Sequence, residues 1–319
     1  MKMMILEVKG LKTYYDSRRG CVKAVDDVSF NLKRGEVLGI VGESGCGKTT
    51  LGLSILRLIR PPGKILKGDV IYDGKINIMK ISKEELRKVR WKEISMIFQG
   101  AMNALNPVHK IIDQVVEAIV LHEGIEKSEA VERAAKMLQL TGIPLDRMKS
   151  YPFELSGGMK QRVVIAMALA CNPKIVIADE PTTALDVVVQ KGIIDLLTNL
   201  KRKLNLSLLF ITHDPSILSV VSDRIMVIYA GKIVEIGETR KIIEKPLHPY
   251  TQGLFKSILL PLEQSKELIS IPGDPPDLVN PPSGCRFHPR CPYRMELCEV
   301  EEPLPRSQRD GIVACHLYG

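Results

Sequence analysis

The chain has 319 residues, 45% hydrophobic and 26% charged, an ordinary globular composition with room for a buried core and about two domains. Its longest apolar run, Val163–Cys171, is far short of the ~20 residues a membrane span requires, and the N-terminus lacks a basic–apolar–small leader pattern; a cytoplasmic chain that meets a membrane only through partners is expected. The formal net charge of +8 collects largely between Arg57 and Lys92, where few aromatics interleave, so it reads as a solvated basic face, with anionic lipid heads or nucleic acid as alternatives.

In chain order, "MILEVKGLKTYY" and "VKAVDDVSFNLKRGEVLGIVG" alternate over short spans with glycine-containing turns, which predicts strands. A helix follows at "TTLGLSILRLI" and stops at Pro61-Pro62-Gly63. "GDVIYDG" predicts a short strand and "ISMIF", Ile94–Phe98, a buried one. From Pro107 to Pro152 the periodicity turns helical, at "IIDQVVEAIVLHEG" and "KSEAVERAAKMLQLTG". Strand and helix then alternate through "KIVIADE", "VVVQKGIIDLLTNLKRK", "LSLLFITHD" and "DRIMVIYAG", which predicts a mainly parallel sheet covered by helices. After Glu244 the composition shifts to Pro, Gly and Cys, marking a linker and a small appended domain; no internal repeat is visible.

"GESGCGKTT", Gly42–Thr50, has the G-x-x-x-x-G-K-[ST] spacing between a predicted strand and a predicted helix, the context that makes it a P-loop. Glycines let the backbone curl so that N–H groups point at phosphate oxygens, and the helix N-terminus adds its positive dipole end. Gly42, Ser44, Gly45, Cys46, Gly47, Lys48, Thr49 and Thr50 form the expected nucleotide-binding set, with the Lys48 charge on the β- and γ-phosphates and the Thr49 hydroxyl on Mg²⁺. Cys46 lies near Lys48 and a helix N-terminus, both of which favour thiolate, so its alkylation is expected to inhibit and bound ATP to protect it. Asp179 ends the apolar strand of "KIVIADE", where α/β sheets bind ligands, and is expected to hold Mg²⁺; Glu180 follows, placed to polarise the attacking water.

A kinase, a GTPase or a motor would share those features, but "LSGGMKQR", Leu155–Arg162, would not be explained by a P-loop kinase. Ser156 is a good N-cap, and Gly157-Gly158 leave the first helical amides uncovered, which makes a second anion site in the same chain. With the P-loop, "ADEPTTALD" and "ITHD" in that order, residues from about 4 to 240 resemble the ATP-binding subunit of an ABC transporter. The resemblance implies a P-loop NTPase α/β core with an N-terminal antiparallel β subdomain and a helical insert at about 100–165, the ATPase domain filling 1–244. It implies that two such domains meet head-to-tail, so that Ser156, Gly157 and Gly158 close on the partner's ATP and Asp186 lies at the interface. Gln99 resembles the residue that senses Mg²⁺ and the attacking water, His213 the switch histidine at the γ-phosphate, and Tyr15, with Tyr14 as its rival, the aromatic that stacks on adenine.

"FQGAMNALNP" and "HPYTQGLF" resemble the oligopeptide/dipeptide importer branch, and "IPGDPPDLVNPPSGCRFHPRCP" resembles the continuation of that branch's C-terminal extension, here 245–319. The resemblance implies ATP hydrolysis coupled to peptide uptake, with a paralogous ATPase and two permeases as partners, an external solute-binding protein acting indirectly, and a peripheral position on the cytoplasmic face of the cell membrane. Oligosaccharide or nickel import in the same branch is the alternative. Gly100-Ala101 stands where Asp-Pro is more usual and Thr183 where Ser is common; the first lies near the expected docking surface. A non-transport ABC protein acting on nucleic acid commonly carries two cassettes or a long coiled-coil insert; with one cassette and no sustained heptads, nucleic acid is not expected as a partner.

Four of the chain's seven cysteines, Cys285, Cys291, Cys298 and Cys315, lie in the extension at spacings x₅, x₆ and x₁₆. A reducing compartment disfavours disulfides, so a metal site is expected. Zinc sites usually show close C-x₂₋₄-C pairs, absent here, and the resemblance points to a [4Fe–4S] cluster, with Zn²⁺ as the alternative. Such a staple suits a Pro-rich tail with little core of its own. Cys171 ends an apolar run and reads as a core residue, and Cys21 as part of a surface loop.

Overall fold

The computed structural model describes residues 3–100, 104–259, 271–308 and 311–319. They group into two compact units, 1–79 with 210–319, and 80–209.

In the first unit the alternation at the N-terminus becomes a four-stranded antiparallel sheet, in the order Gly20–Lys33, Met4–Ser17, Gly63–Tyr72, Ile76–Asn77. Val28, Phe30 and Leu32 turn inward, as the period of two requires. Cys21 lies on the strand Gly20–Lys33, opposite Asp16, not in a loop: the turn occupies the residues before Gly20. Val37–Val41 is buried at every position and pairs in parallel with Arg224–Tyr229, Leu38 facing Arg224 and Val41 facing Val227. Burial on both faces accounts for its unbroken apolar run. The helix after the P-loop, Lys48–Ile55, ends before the prolines, because Arg57 turns the chain out at φ 52.

The residues after Lys245 cluster with this first unit, so the expected small C-terminal domain is not a separate compact body. Gly311–Val313 pairs antiparallel with Lys232–Glu238, Val313 opposite Glu235, and Arg306–Gln308 adds a further strand. The tail thus completes main-chain hydrogen bonds of the sheet that also holds Arg224–Tyr229 and Val37–Val41, and Val313 is fully buried there.

In the second unit Ile94–Ile97 and Ile175–Asp179 pair in parallel. Helices Ile111–Glu123 and Lys127–Leu140 pack on each other and on Gly157–Leu169. Gly124 makes the turn between the first two at φ 68, and Arg133 forks onto the Glu123 carboxylate across it. Lys83–Val89 is a further helix, carried by a capping box between Ser82 and Glu85.

No helix among the described residues is long and apolar enough to cross a membrane. Val313→Asp is expected to lower stability by about 3 kcal/mol or more, since the new carboxylate would be buried opposite Glu235. Val313→Ile should cost about 1 kcal/mol or less. Urea unfolding of the two variants beside wild type measures both.

Candidate functional site

In the first unit the strand Val37–Val41 delivers the chain into the phosphate loop at Gly42, and two glycines are sterically required there. A Cβ at Gly42 would stand 2.1 Å from Ile228 O, and one at Gly47 1.9 Å from Ala24 O; Gly47 also has φ +103. Gly45, at φ +77, has open space where its Cβ would be, and with Ser44 forms the exposed crest of the loop. Lys48 opens the helix and folds back: its Nζ donates to Gly42 O at 2.7 Å and Glu43 O at 2.9 Å. Thus the buried ammonium is satisfied by carbonyls of its own loop. Thr49 and Thr50 follow on the first turn, half-buried.

Cys46 corrects an expectation. It is 5% exposed, and burial pushes its thiol up despite the lowering effect of Lys48. Desolvation outweighs the neighbouring charge, so the protonated thiol is favoured over thiolate.

Tyr15 and Tyr14 separate cleanly. Tyr15 Oη lies 3.5 Å from the Thr50 hydroxyl, and its ring occupies the space a side chain at position 63 would need, 2.5 Å from a Gly63 Cβ. Tyr14 Oη donates to Asp26 at 2.7 Å, and its pKa is raised, by burial first and then by that bond. His213 is exposed, directly after Thr212, whose N–H donates to Ile40 O of the strand feeding the loop.

In the second unit Asp179 ends its strand at 1% exposure. Glu180 follows in the left-handed region, at φ 48, where a non-glycine residue is strained. Its Oε2 accepts from Gln99 Nε2 at 2.9 Å and from Thr183 Oγ1 at 2.9 Å. Three expected elements, the glutamine, the glutamate and the "TTALD" turn, therefore meet on one carboxylate oxygen. Thr183 was legible only as a departure from a common Ser; it keeps the hydroxyl that the contact uses. Gly100 sits at φ +65 with no atom near its Cβ position; Ala101 lies outside the described residues.

Ser156 caps the helix Gly157–Leu169, its hydroxyl accepting from Met159 N–H at 3.4 Å, and Ser156 and Gly157 are exposed. A Cβ at Gly158 would stand 2.7 Å from Val189 Cγ1 on the helix Val187–Leu204, which Asp186 caps through Val189 N–H at 2.9 Å. The two helix N-termini are neighbours, and Val187 and Val188 beside them are 80% and 82% exposed.

The four cysteines of the extension share one neighbourhood. Cys285 N–H donates to Cys298 O at 2.8 Å, and Cys285 feels the charges of Cys298, Cys315 and Cys291. The expected ligand set is nonetheless not closed: among the described residues no group of three or more His, Cys, Asp or Glu side chains is placed to hold a metal ion. Burial raises Cys285 to about 11 and pushes Cys291 and Cys315 up as well. The donor chemistry suits iron or zinc; the arrangement of the side chains does not form the cluster's cage. Cys171 is a buried core residue, as expected, its thiol raised to about 12 by burial.

Comparison with known proteins places this geometry. A family model described as "ABC transporter" matches residues 25–183, and one described as "Oligopeptide/dipeptide transporter, C-terminal region" matches 234–298. The chain is 45% identical to a dipeptide transport ATP-binding protein, DppD, of Caldanaerobacter subterraneus subsp. tengcongensis, over 99% of this chain and 97% of that protein. It is 47% identical to the oligopeptide transport ATP-binding protein OppD of Bacillus subtilis, over 94% of this chain and 84% of that protein. Among solved structures, the ATP-binding cassette MJ0796 bound to ADP and Pi superposes with a TM-score of 0.65 at 30% identity, covering 74% of this chain and 99% of that one.

The Cys46 geometry makes a kinetic prediction. In the full chain at pH 8, Cys46 should react with iodoacetamide at least about ten-fold more slowly than an unperturbed thiol. Timed alkylation read by peptide mass spectrometry measures this. Fast modification would restore the reactive thiolate that the sequence suggested.

Proposed function

The chain belongs to the ABC transporter family, and from that membership we propose that it is the ATP-hydrolysing subunit of an importer for di- and oligopeptides. The observation that carries the peptide branch is the match of residues 234–298 to the C-terminal region of oligopeptide/dipeptide transporters, joined to near full-length identity with dipeptide and oligopeptide transport ATP-binding proteins. The phosphate loop supports the ATPase reading: Gly42 and Gly47 have no room for side chains, and its lysine is docked on the loop's own carbonyls.

The residue roles follow. Lys48 and the loop amides of Gly42–Gly47 bind the phosphates, Thr49 and Thr50 continue that site, and Tyr15 stacks on adenine. Thr49, Gln99 and Asp179 are oxygen donors suited to Mg²⁺, a hard cation that takes oxygen ligands; the ion supplies charge neutralisation on the phosphates. Glu180 polarises the attacking water while Gln99 and Thr183 hold its carboxylate, and His213 contacts the γ-phosphate. Ser156, Gly157 and Gly158 serve the ATP of a second, paralogous ATPase in a head-to-tail dimer, with Asp186 at the interface. The exposed cap at Ser156 and the bare Val187 and Val188 beside Asp186 support a partner on that face.

ATP held by both subunits draws them together, and hydrolysis releases one phosphate contact and lets them part. Two membrane permeases follow that motion, and an external solute-binding protein delivers the peptide to them. The working position is the cytoplasmic face of the cell membrane, as a peripheral subunit. Cys285, Cys291, Cys298 and Cys315 are proposed to hold a [4Fe–4S] cluster, with Zn²⁺ the alternative; holding it requires these side chains to converge further.

Glu180→Gln is expected to bind MgATP with affinity close to wild type and to hydrolyse it at least about 100-fold more slowly, since a positioned base contributes that much. Nucleotide titration and phosphate release on the same preparation test it, and turnover at the wild-type rate would remove Glu180 from the base role. Iron, acid-labile sulfide and zinc assays on anaerobically purified chain test the cysteines. Matched iron and sulfide is the expected result; neither iron nor zinc in folded protein would end the metal proposal.

A further inference from the structure

The C-terminal extension hydrogen-bonds Glu43 of the phosphate loop and holds it at two points. Glu43 N–H donates to Tyr250 Oη at 2.8 Å, and its carboxylate accepts both terminal nitrogens of Arg290, at 2.7 and 2.9 Å. Its carbonyl is one of the two on which Lys48 docks, the other being that of Gly42. Arg290 is buried, and its orientation is set before it meets the carboxylate. Its Nε donates to Pro272 O at 2.7 Å, and its guanidinium lies 5.8 Å from the Tyr229 ring centroid.

Tyr250 is aimed with the same care. His248 is buried and held neutral, its pKa lowered to about 3 by burial, and its Nδ1 accepts Tyr250 N–H at 3.0 Å. The Glu235 carboxylate accepts Leu247 N–H and His248 N–H, both at 2.9 Å. Phe287 packs edge-on against Tyr229 and Tyr250. A second arginine between Cys285 and Cys291, Arg286, bonds to Ala230 O and to the Asp26 carboxylate. The next residue, Gly231, donates its N–H to Cys46 O at 2.9 Å. The "HPYTQ" and "CRFHPRC" segments thus converge on the main chain just before Lys48.

A carboxylate on a phosphate-binding loop repels the ligand unless its charge is cancelled. We propose that Arg290 and Tyr250 are positioning residues for nucleotide binding: the extension fixes Glu43, so that its carbonyl docks Lys48 and its charge is neutralised by Arg290. This rests on the reading of Gly42–Thr50 as the ATP phosphate site. The extension is accordingly part of the nucleotide-binding apparatus and not an appendage to it.

The test is calorimetric titration of the full chain with MgATP, alongside thermal unfolding. Arg290→Met should weaken MgATP binding about ten-fold, the scale on which supporting partners act in other sites. Arg290→Lys, which keeps the charge and loses the fork, should recover part of that loss. Adding Glu43→Gln to Arg290→Met should recover most of it, because the unpaired carboxylate is then gone. Tyr250→Phe should weaken binding to a smaller degree.

Thermal unfolding separates this from a structural role. If Arg290→Met lowers the unfolding midpoint and leaves MgATP affinity within about two-fold of wild type, Arg290 only anchors the tail and the proposal is overturned. Equal losses in the single and double variants would overturn the charge argument as well. Should Arg290→Met fail to fold, the comparison of Arg290→Lys with Tyr250→Phe decides, and wild-type affinity in both overturns it. Absence of MgATP binding by wild type would be a different failure, that of the phosphate-site reading itself.

Discussion

A carbon atom added at Gly47 would stand 1.9 Å from Ala24 O, and one at Gly42 2.1 Å from Ile228 O. The phosphate loop can exist only because its backbone runs against two other backbones at distances that admit no side chain. Much of the first unit serves that approach. Ala24 comes from the antiparallel sheet and Ile228 from the strand paired with Val37–Val41, so both sheets form walls of one loop. Gly231 continues the wall, bonded to Cys46 O on one side and to Asp26 N–H on the other. With its backbone confined in this way, the loop holds the buried Lys48 Nζ on two of its own carbonyls.

The carboxylate half shows the opposite tactic, strain held by side chains. Glu180 occupies a left-handed backbone well that a glutamate visits at a cost of about 1–3 kcal/mol. Gln99 and Thr183 fasten its carboxylate from the strand end and from the following turn. Ala184, at φ 63, repeats the reversal within the same turn, so that "DEPTTALD" leaves the strand abruptly and still reaches its helix at Asp186. A threonine supplies the hydroxyl as well as a serine would, which explains why the departure at Thr183 is chemically mild.

The motifs were legible because phosphate chemistry constrains the backbone locally. Glycine spacing, a lysine after it and a carboxylate ending an apolar strand are short-range requirements, and both strand–helix contexts could be read beside them. Cys46 was misread for the same locality. Lys48 and a helix start are visible in the sequence, whereas the burial that outweighs them is not, and the Gly231 N–H that bonds Cys46 O comes from distant chain. The strand at Gly311–Val313 was invisible for a similar reason, since it is three residues long and one of its two pairings is with the distant Lys232–Glu238. Cys21, placed in a loop from sequence, lies on a strand that extends as far as Gly20 because Ser17 and Gly20 face each other across a tight turn.

The cysteines drew attention away from the residues between them. In "CRFHPRC" Arg286, Phe287 and Arg290 are the buried members. Two guanidinium groups can be buried only where carboxylates and carbonyls already wait, and those belong to Asp26, Ala230, Pro272 and Glu43. Asp26, Ala230 and Glu43 all lie far from the extension in sequence, so no local pattern could announce them. The dependence runs in both directions. Without the phosphate loop's Glu43 the tail would bury an unpaired arginine, and without Arg290 the loop would present a bare carboxylate beside its lysine. A Pro-rich tail with little core of its own is thereby tied to the phosphate loop and the sheet beside it by charges that neither part could bury alone.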